Sequence, residues 1–564
     1  MSPIIAVTPP APVATQTPWW RTAVIYQVYP RSFADSNGDG MGDLVGITAR
    51  LPYLVALGID AIWLSPIYVS PMADAGYDVA DYRDVDPAFG SLADAEALIA
   101  EAARIGLRII LDLVPNHTSD EHTWFRAALA ALPGSPERAR YLFRDGTGPR
   151  GELPPNSWQS VFGGPAWTQV VEPDGTPGQW YLHLFDVKQP DLDWTNPEVR
   201  EEFHAILRFW LDRGVAGFRV DVAHGLVKAH GLPDWSEDQG MLEGADGRER
   251  APFWDQDGVH EIYRGWRQVL DSYPGDRMLV AEAWVEPPER LARYVRDDEM
   301  HQAFNFDYLT APWRAADLRA AITSSLAANK AVGAPTTWVL SNHDVVRHTT
   351  RLTLAPEVRR PNGIRATDPQ PDESLGLARG RAASAVMLAL PGSAYVYQGE
   401  ELGLPEHTTL PDEVRQDPTW FRHDGEIAGR DGCRVPIPWV AHAPAYGFSS
   451  TGQSWLPQPA SFARYAVDVQ AGTPGSTLEL YRSALRLRRD LGLGSGELTW
   501  PDEADDAVLA FQVSGRHGAV LVVTNLGDTP VTPPAGRLLL ATADLDEAGR
   551  VPTDATVWVA APRT

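Results

Sequence analysis

The chain has 564 residues, 44% of them hydrophobic, and twenty tryptophans, which excludes a disordered protein and implies more than one folded unit. Its formal net charge of −26 excludes nucleic acid and anionic membranes as partners held by charge, and otherwise bears on solubility. The single cysteine, Cys433, excludes an intramolecular disulfide framework and fits a reducing, cytoplasmic compartment.

Residues 1–18, rich in Pro, Ala and Thr, read as a flexible tail without the basic start and unbroken apolar core of a signal peptide. No run reaches the roughly 18 apolar residues of a membrane span. From residue 19 the chain repeats a short β-branched strand, a polar loop and a helical stretch. Strands are predicted at 23–29, 59–64, 107–114, 215–222, 277–283, 302–306, 336–340 and 393–397, with helices such as 47–57, 92–105 and 197–211 between them. Eight alternations in one direction are the pattern of an α/β closed parallel barrel, the (β/α)8 TIM barrel. Residues 118–190, rich in Pro, Gly and Trp, exceed a βα loop and are expected to form a small inserted domain after strand three. The barrel then comprises 19–117 and 191–477. In 478–564 a helix with basic residues precedes short alternating runs, which read as a C-terminal antiparallel β-domain.

In such a barrel, chemistry gathers at the C-terminal ends of the strands. Asp112, Asn116 and His117 follow strand three, Arg219 and Asp221 end strand four, Glu282 ends strand five, and Asn342, His343 and Asp344 follow strand seven. Arg219 and Asp221 are two apart, so they share one side of a strand, and the guanidinium is expected to hold the carboxylate ionised. Alone, that pair also fits a surface salt bridge. Three acids from three strands, with two histidines and an arginine, point instead to paired-carboxyl chemistry of the glycosyl-transfer kind.

The motifs Asp112-Leu-Val-Pro-Asn-His117, Gly217-Phe-Arg-Val-Asp221, Val280-Ala-Glu-Ala-Trp284 and Ser341-Asn-His-Asp344 resemble those of the α-amylase family of retaining glycoside hydrolases (glycoside hydrolase family 13). Gln189-Pro-Asp-Leu-Asp193 is similar to the form seen in its α-glucosidase and oligo-1,6-glucosidase group. The resemblance covers about residues 19 to 564. It implies Asp221 as nucleophile, Glu282 as general acid and then base, and Asp344 as the carboxylate holding the sugar's 2- and 3-hydroxyls. Apolar surroundings such as Trp284 are expected to favour a protonated Glu282. His117 and His343 match the histidines that hydrogen-bond glucose, and Tyr77, in Asp74-Ala-Gly-Tyr77, matches the aromatic platform under the ring. Asp74 and Arg434, in Arg434-Val-Pro-Ile-Pro-Trp439, resemble the acid–arginine pair that closes the pocket and dictates exo action. Phe185 and Gln189 match further pocket positions, and Arg219 the arginine beside the nucleophile. Cys433 is assigned packing alone.

The loop Asp35-Ser-Asn-Gly-Asp-Gly-Met-Gly-Asp43 has oxygen side chains at alternate positions and glycines for tight turns, so it resembles a calcium-binding loop. Asp35, Asn37, Asp39, Asp43 and the Met41 carbonyl are the expected ligands of a structural Ca2+ or Mg2+. The implied substrate is a small α-glucoside such as maltose or isomaltose, with transglucosylation as an accompanying activity. Val222 accompanies α-1,6 activity in the group, whereas Ala223-His224-Gly225 departs from the oligo-1,6-glucosidase pattern, so linkage is left open. The rival within the family is a trehalose synthase or a sucrose isomerase or hydrolase. A non-catalytic or transporter-associated subunit would lose the carboxylates that this chain retains.

Overall fold

The predicted alternation closes into a ring. A computed structural model describes residues 17–172, 174–235, 250–355, 362–501 and 505–561, so the tail reading, residues 17 and 18 apart, falls outside the described residues. The barrel strands are β1 (Val24–Val28), β2 (Ala61–Leu64), β3 (Arg108–Leu113), β4 (Gly217–Val220), β5 (Met278–Ala281), β6 (Gln302–Ala303), β7 (Thr337–Val339) and β8 (Ser393–Tyr397). Each pairs in parallel with its sequence neighbour, β1 pairs with β8, and a bridge from Phe304 to Thr337 joins β6 to β7.

Alternate strand residues face opposite ways, which sorts the core into two shells. Ile25, Trp63, Ile110, Val280, Val339 and Tyr395 pack together inside the barrel, while Tyr26, Ile62, Leu111 and Leu279 belong to the outer layer under the helices. The helices begin where the chain supplies caps. The Asp43 carboxylate caps α1 (Leu44–Leu57), which Gly58 ends at φ 99°. Ser91 and Asp94 form a capping box on α2 (Leu92–Arg104), and Asn196 caps α3 (Pro197–Asp212), with proline at its first position.

The insertion carries a three-stranded antiparallel sheet of Phe143–Arg144, Pro177–Leu182 and Trp167–Val171. At its neck Asp191 pairs with His117, and the Thr118 N–H donates to Pro190 O at 3.2 Å, so the exit of the insertion is stitched to a candidate site residue.

The predicted boundary at 478 falls in the first turn of a helix. Helix α5 (Thr477–Leu491) packs on α4 (Glu373–Ala389): Tyr481 donates to Ser384 Oγ at 2.6 Å, and Arg488 donates to the carbonyls of Leu388, Leu390 and Gly392. Among the basic residues of this helix, Arg488 thus satisfies buried backbone carbonyls of the barrel. The five-stranded antiparallel sheet starts after it, with β9 (Glu497–Thr499), β10 (Val508–Ser514), β11 (Ala519–Asn525), β12 (Leu538–Ala541) and β13 (Ala555–Ala561) in the order β9-β10-β11-β13-β12. It docks on α4 through Thr556 and Trp558, which donate to the carbonyls of Ala382 and Ala385. Among the described residues no helix is long and apolar enough to cross a membrane.

Candidate active site

Register aligns Arg219 of β4 with Asp112 of β3 and Val280 of β5, which puts its side chain among three strand ends. The guanidinium is fully buried. Its Nη1 donates to Asp112 at 2.9 Å and to Asp221 Oδ1 at 2.6 Å, and its Nη2 lies 2.9 Å from Glu282 Oε2. Asp221 and Glu282 are therefore held by neighbouring nitrogens of one planar fork.

Three carboxyls share that one cation, so the cluster would carry surplus negative charge if all ionised. Burial drives Asp221 well above the usual carboxylate range. The Arg219 guanidinium opposes this, and the carboxylates of Glu282, Asp112 and Asp344 reinforce it. Asp112 is pushed up to about 6 by burial, against the pull of Arg219. The expected pull of Arg219 on Asp221 is present, but one guanidinium is divided among three buried acids and their desolvation opposes it.

Glu282 is oriented from two sides. Oε2 accepts the Val222 N–H at 2.9 Å, and Oε1 accepts the Trp284 indole N–H at 3.2 Å, while that indole stacks on Phe306 at 3.7 Å. Val222 reaches Glu282 only by adopting φ 43°, a conformation that costs a β-branched residue ~1–3 kcal/mol. The backbone strain next to Asp221 aims an amide at the partner carboxyl.

Asp344 Oδ1 accepts from Arg430 Nη1 and Arg434 Nη2, both at 3.0 Å, and Oδ2 lies 3.2 Å from His343 Nε2. Burial alone would raise this carboxyl, but His343, Arg430, Arg434 and Arg219 hold it well below the usual range. Burial keeps His343 neutral, so the arginines supply most of the opposing charge. His343 Nδ1 faces the Gln27 side-chain amide at 2.7 Å, so the neutral ring carries its proton on Nε2, on the side of Asp344.

The predicted Asp74–Arg434 pair is replaced. Asp74 Oδ1 pairs with Arg430 Nη2 at 2.7 Å, whereas Arg434 turns inward, donating to His343 O at 2.8 Å and to Asp344. Arg430 also binds Asp417 Oδ2 at 2.5 Å and lies 5.1 Å over the Phe162 ring of the insertion. Sequence reasoning missed Arg430 and Asp417; the only signal was a second arginine in Arg430-Asp-Gly-Cys-Arg434, one irregular turn earlier.

The remaining predicted residues complete a single network. Tyr77 donates to Asp112 Oδ2 at 2.9 Å, and its ring stacks on His343 at 5.3 Å. Gln189 Nε2 lies 3.2 Å from Asp74 Oδ2 and 3.1 Å from His117 Nε2, and the His117 ring is 5.2 Å from Phe185. Cys433 is buried, its thiol 3.3 Å from His343 O. Lys228, also missed, is buried against Asp191 at 2.7 Å; no spacing rule marks a lysine seven residues past Asp221.

In the Asp35–Asp43 loop the oxygens turn onto the loop itself. Asp35 accepts from Gly38 and Gly40, Asn37 from Asp39, Asp39 from Met41, and Asp43 from Ser36 and from Gly46 at the start of α1. The donors are the oxygen type a hard cation takes. Among the described residues, however, no three acidic, histidine or cysteine side chains group as a metal would need.

Residues 27–493 match the alpha amylase catalytic domain, and 496–558 match a domain of unknown function, DUF3459. The chain is 38% identical over 532 residues to the probable alpha-glucosidase of Rhizobium meliloti (strain 1021), covering 91% of this chain and 90% of that protein. It is 33% identical to the oligo-1,6-glucosidase of Parageobacillus thermoglucosidasius, covering 94% and 96%. The crystal structure of an alpha-glucosyl transfer enzyme, XgtA, superposes with a TM-score of 0.82 at 37% identity over 97% of this chain and 100% of that one. The trehalulose synthase MutB from Pseudomonas mesoacidophila MX-45 does so at 0.81 and 31%, with the same coverage. With its catalytic-domain match running from β1 to the end of α5, and three strand-end carboxyls gathered at one mouth, this chain belongs to the alpha-amylase family of glycoside hydrolases.

Proposed function

We propose that the protein is an exo-acting, retaining α-glucosidase that releases glucose from the non-reducing end of short α-glucosides. One observation carries the reading: Asp221 and Glu282 are held on adjacent nitrogens of Arg219. Two carboxyls gripped by one guanidinium lie close together, which suits the ~5–5.5 Å class of double displacement rather than the wider inverting class. In the reactive state the proton sits on Glu282 and Asp221 is the carboxylate. Glu282 gives that proton to the glycosidic oxygen as an Asp221 oxygen attacks the anomeric carbon, and the aglycone leaves as a neutral alcohol. Water then gives a proton to the Glu282 carboxylate as its oxygen attacks the same carbon, and Asp221 departs as carboxylate. Asp344, kept ionised by its arginines, receives the sugar hydroxyls and stabilises the positive charge that develops on the ring. His117, His343, Tyr77, Gln189 and Phe185 shape the remaining pocket. Arg430, tied to Asp74, Asp344 and Asp417, walls its far side, so a chain end enters and an internal residue does not.

Transfer to a second sugar in place of water is the favoured accompanying activity, because solved neighbours include an alpha-glucosyl transfer enzyme and a trehalulose synthase. The test is product quantification from maltose, isomaltose, trehalose and sucrose. Glucose is expected as the main product, with the better of maltose and isomaltose giving the linkage preference. Trehalose formed from maltose, or an isomerised disaccharide from sucrose, as main product would replace this reading. Cleavage of an end-blocked polysaccharide as fast as a nitrophenyl glucoside would contradict exo action.

Calcium at the Asp35–Asp43 loop is supported by its oxygen donors and has no part in the chemistry. Purified protein is expected to carry about one equivalent of Ca2+ or Mg2+ and to melt several degrees lower after chelation. Unchanged metal content and melting temperature would refute it. A reducing, cytoplasmic setting is proposed on the lone, buried Cys433.

A further inference from the structure

Only three of the 48 basic residues are lysines, and two of them, Lys188 and Lys330, have side chains 48% and 84% exposed. The third, Lys228, is 2% exposed. Its Nζ lies 2.7 Å from Asp191 Oδ2, 2.8 Å from Asn116 Oδ1 and 2.5 Å from Gly225 O. Those acceptors come from three segments: the loop after β3, the exit of the insertion and the turn after Asp221. Three acceptors converging on one point suit the compact, three-proton ammonium and not the planar fork of arginine. This is where a chain that otherwise writes its bases as arginine keeps a lysine.

The consequence falls on His117. An ammonium only donates, so Asn116 must present its oxygen to Lys228 and its NH2 to the other side, 3.1 Å from Asp191 Oδ2 and 3.2 Å from His117 Nδ1. Nδ1 is then an acceptor. Burial keeps the ring neutral, so its one proton sits on Nε2, which faces the Tyr77 carbonyl at 3.2 Å. Gln189 Nε2, 3.1 Å from the same nitrogen, favours the opposite tautomer, but it has Asp74 as an acceptor at 3.2 Å. Asn116 has no such freedom while Lys228 holds its oxygen.

We propose that Lys228 is a positioning residue that, through Asn116, locks His117 in the Nε2–H tautomer, a donor that the Tyr77 carbonyl holds at 3.2 Å and that an arriving sugar hydroxyl comes to share. Without the ammonium, Asn116 can turn over, Nδ1 can take the proton, and Nε2 becomes an acceptor from Gln189, presenting no donor to a sugar hydroxyl. Only the kinetic arm of the test rests on the α-glucosidase reading.

The direct experiment is NMR of the full-length protein labelled with 15N-histidine, with His117 assigned from its missing signals in a His117→Gln variant. The parent should show His117 with protonated Nε2 and bare Nδ1. Lys228→Met should shift the population to protonated Nδ1, and Lys228→Arg should not restore the parent pattern. Protonated Nδ1 in the parent, or an unchanged tautomer in Lys228→Met, overturns the proposal, and the parent spectrum decides even if the variants fold poorly. In the kinetic arm, Lys228→Met should lower kcat/KM on a nitrophenyl α-glucoside by roughly 10- to 100-fold. That loss should vanish when His117 is already alanine. Independent, additive losses would mean that Lys228 only braces the fold. A parent without glucosidase activity would sink the functional reading and leave the tautomer result standing.

Discussion

Asp221→Asn is expected to lower kcat/KM on short α-glucosides by on the order of 10⁴–10⁶-fold, the scale seen when an enzyme loses its nucleophile. An amide of the same shape keeps the packing but cannot form the glycosyl ester. The fold should survive, because Arg219 retains Asp112 and Glu282 as partners. Linkage gives a second readout with a definite sign. The folded-state pKa of Asp221 lies above its unfolded value of about 3.8, so its contribution to stability is most favourable below that value and is lost as pH rises through the raised one. The variant is therefore expected to melt at or above the parent at neutral pH, with the difference disappearing near pH ~4. Activity within about tenfold of the parent would remove Asp221 from the nucleophile's role. A variant less stable than the parent at neutral pH would mean that Arg219 outweighs the burial.

Glu282→Gln should separate the two half-reactions. With maltose the leaving sugar needs a proton, and the loss is expected at about 10²–10⁴-fold. With a nitrophenyl glucoside the leaving group departs unaided, so the first step should be nearly intact. The second step lacks its base, so glycosyl-enzyme should accumulate as a burst in stopped flow and as one added glucosyl mass on the intact protein. Equal losses on both substrates, with no burst, would assign the proton transfer to another group. Two neighbours make this variant specific: the Val222 amide and the Trp284 indole donate to Glu282 in the parent, and glutamine keeps an acceptor for one of them.

Much of the site was legible along the chain because it is tied to local periods. Asp112, Arg219, Asp221 and Glu282 stand at fixed offsets from short apolar runs, and a strand that rises into a barrel carries such residues to its mouth whatever lies elsewhere. Caps such as Asp43, Ser91 and Asn196 likewise announce their helices within four residues. The eight strands, the insertion and the antiparallel sheet at the end followed from the same local signals.

What those signals did not reach lies where chains far apart in sequence meet. Arg430 and Arg434 sit on one irregular segment with no period to say which faces the pocket, and Asp417, Phe162 and Asp74 decide it in space. The upward push on the Asp221 carboxyl depends on how little water three strands leave around one guanidinium, a property of the closed barrel and not of any motif. Lys228 looks ordinary in the sequence, and only folding brings Asn116, Asp191 and Gly225 to its ammonium. Local pattern thus determined which residues stand at the barrel's mouth, whereas burial and long-range contact decided their partners and their protons, because desolvation and hydrogen bonding are properties of the assembled interior.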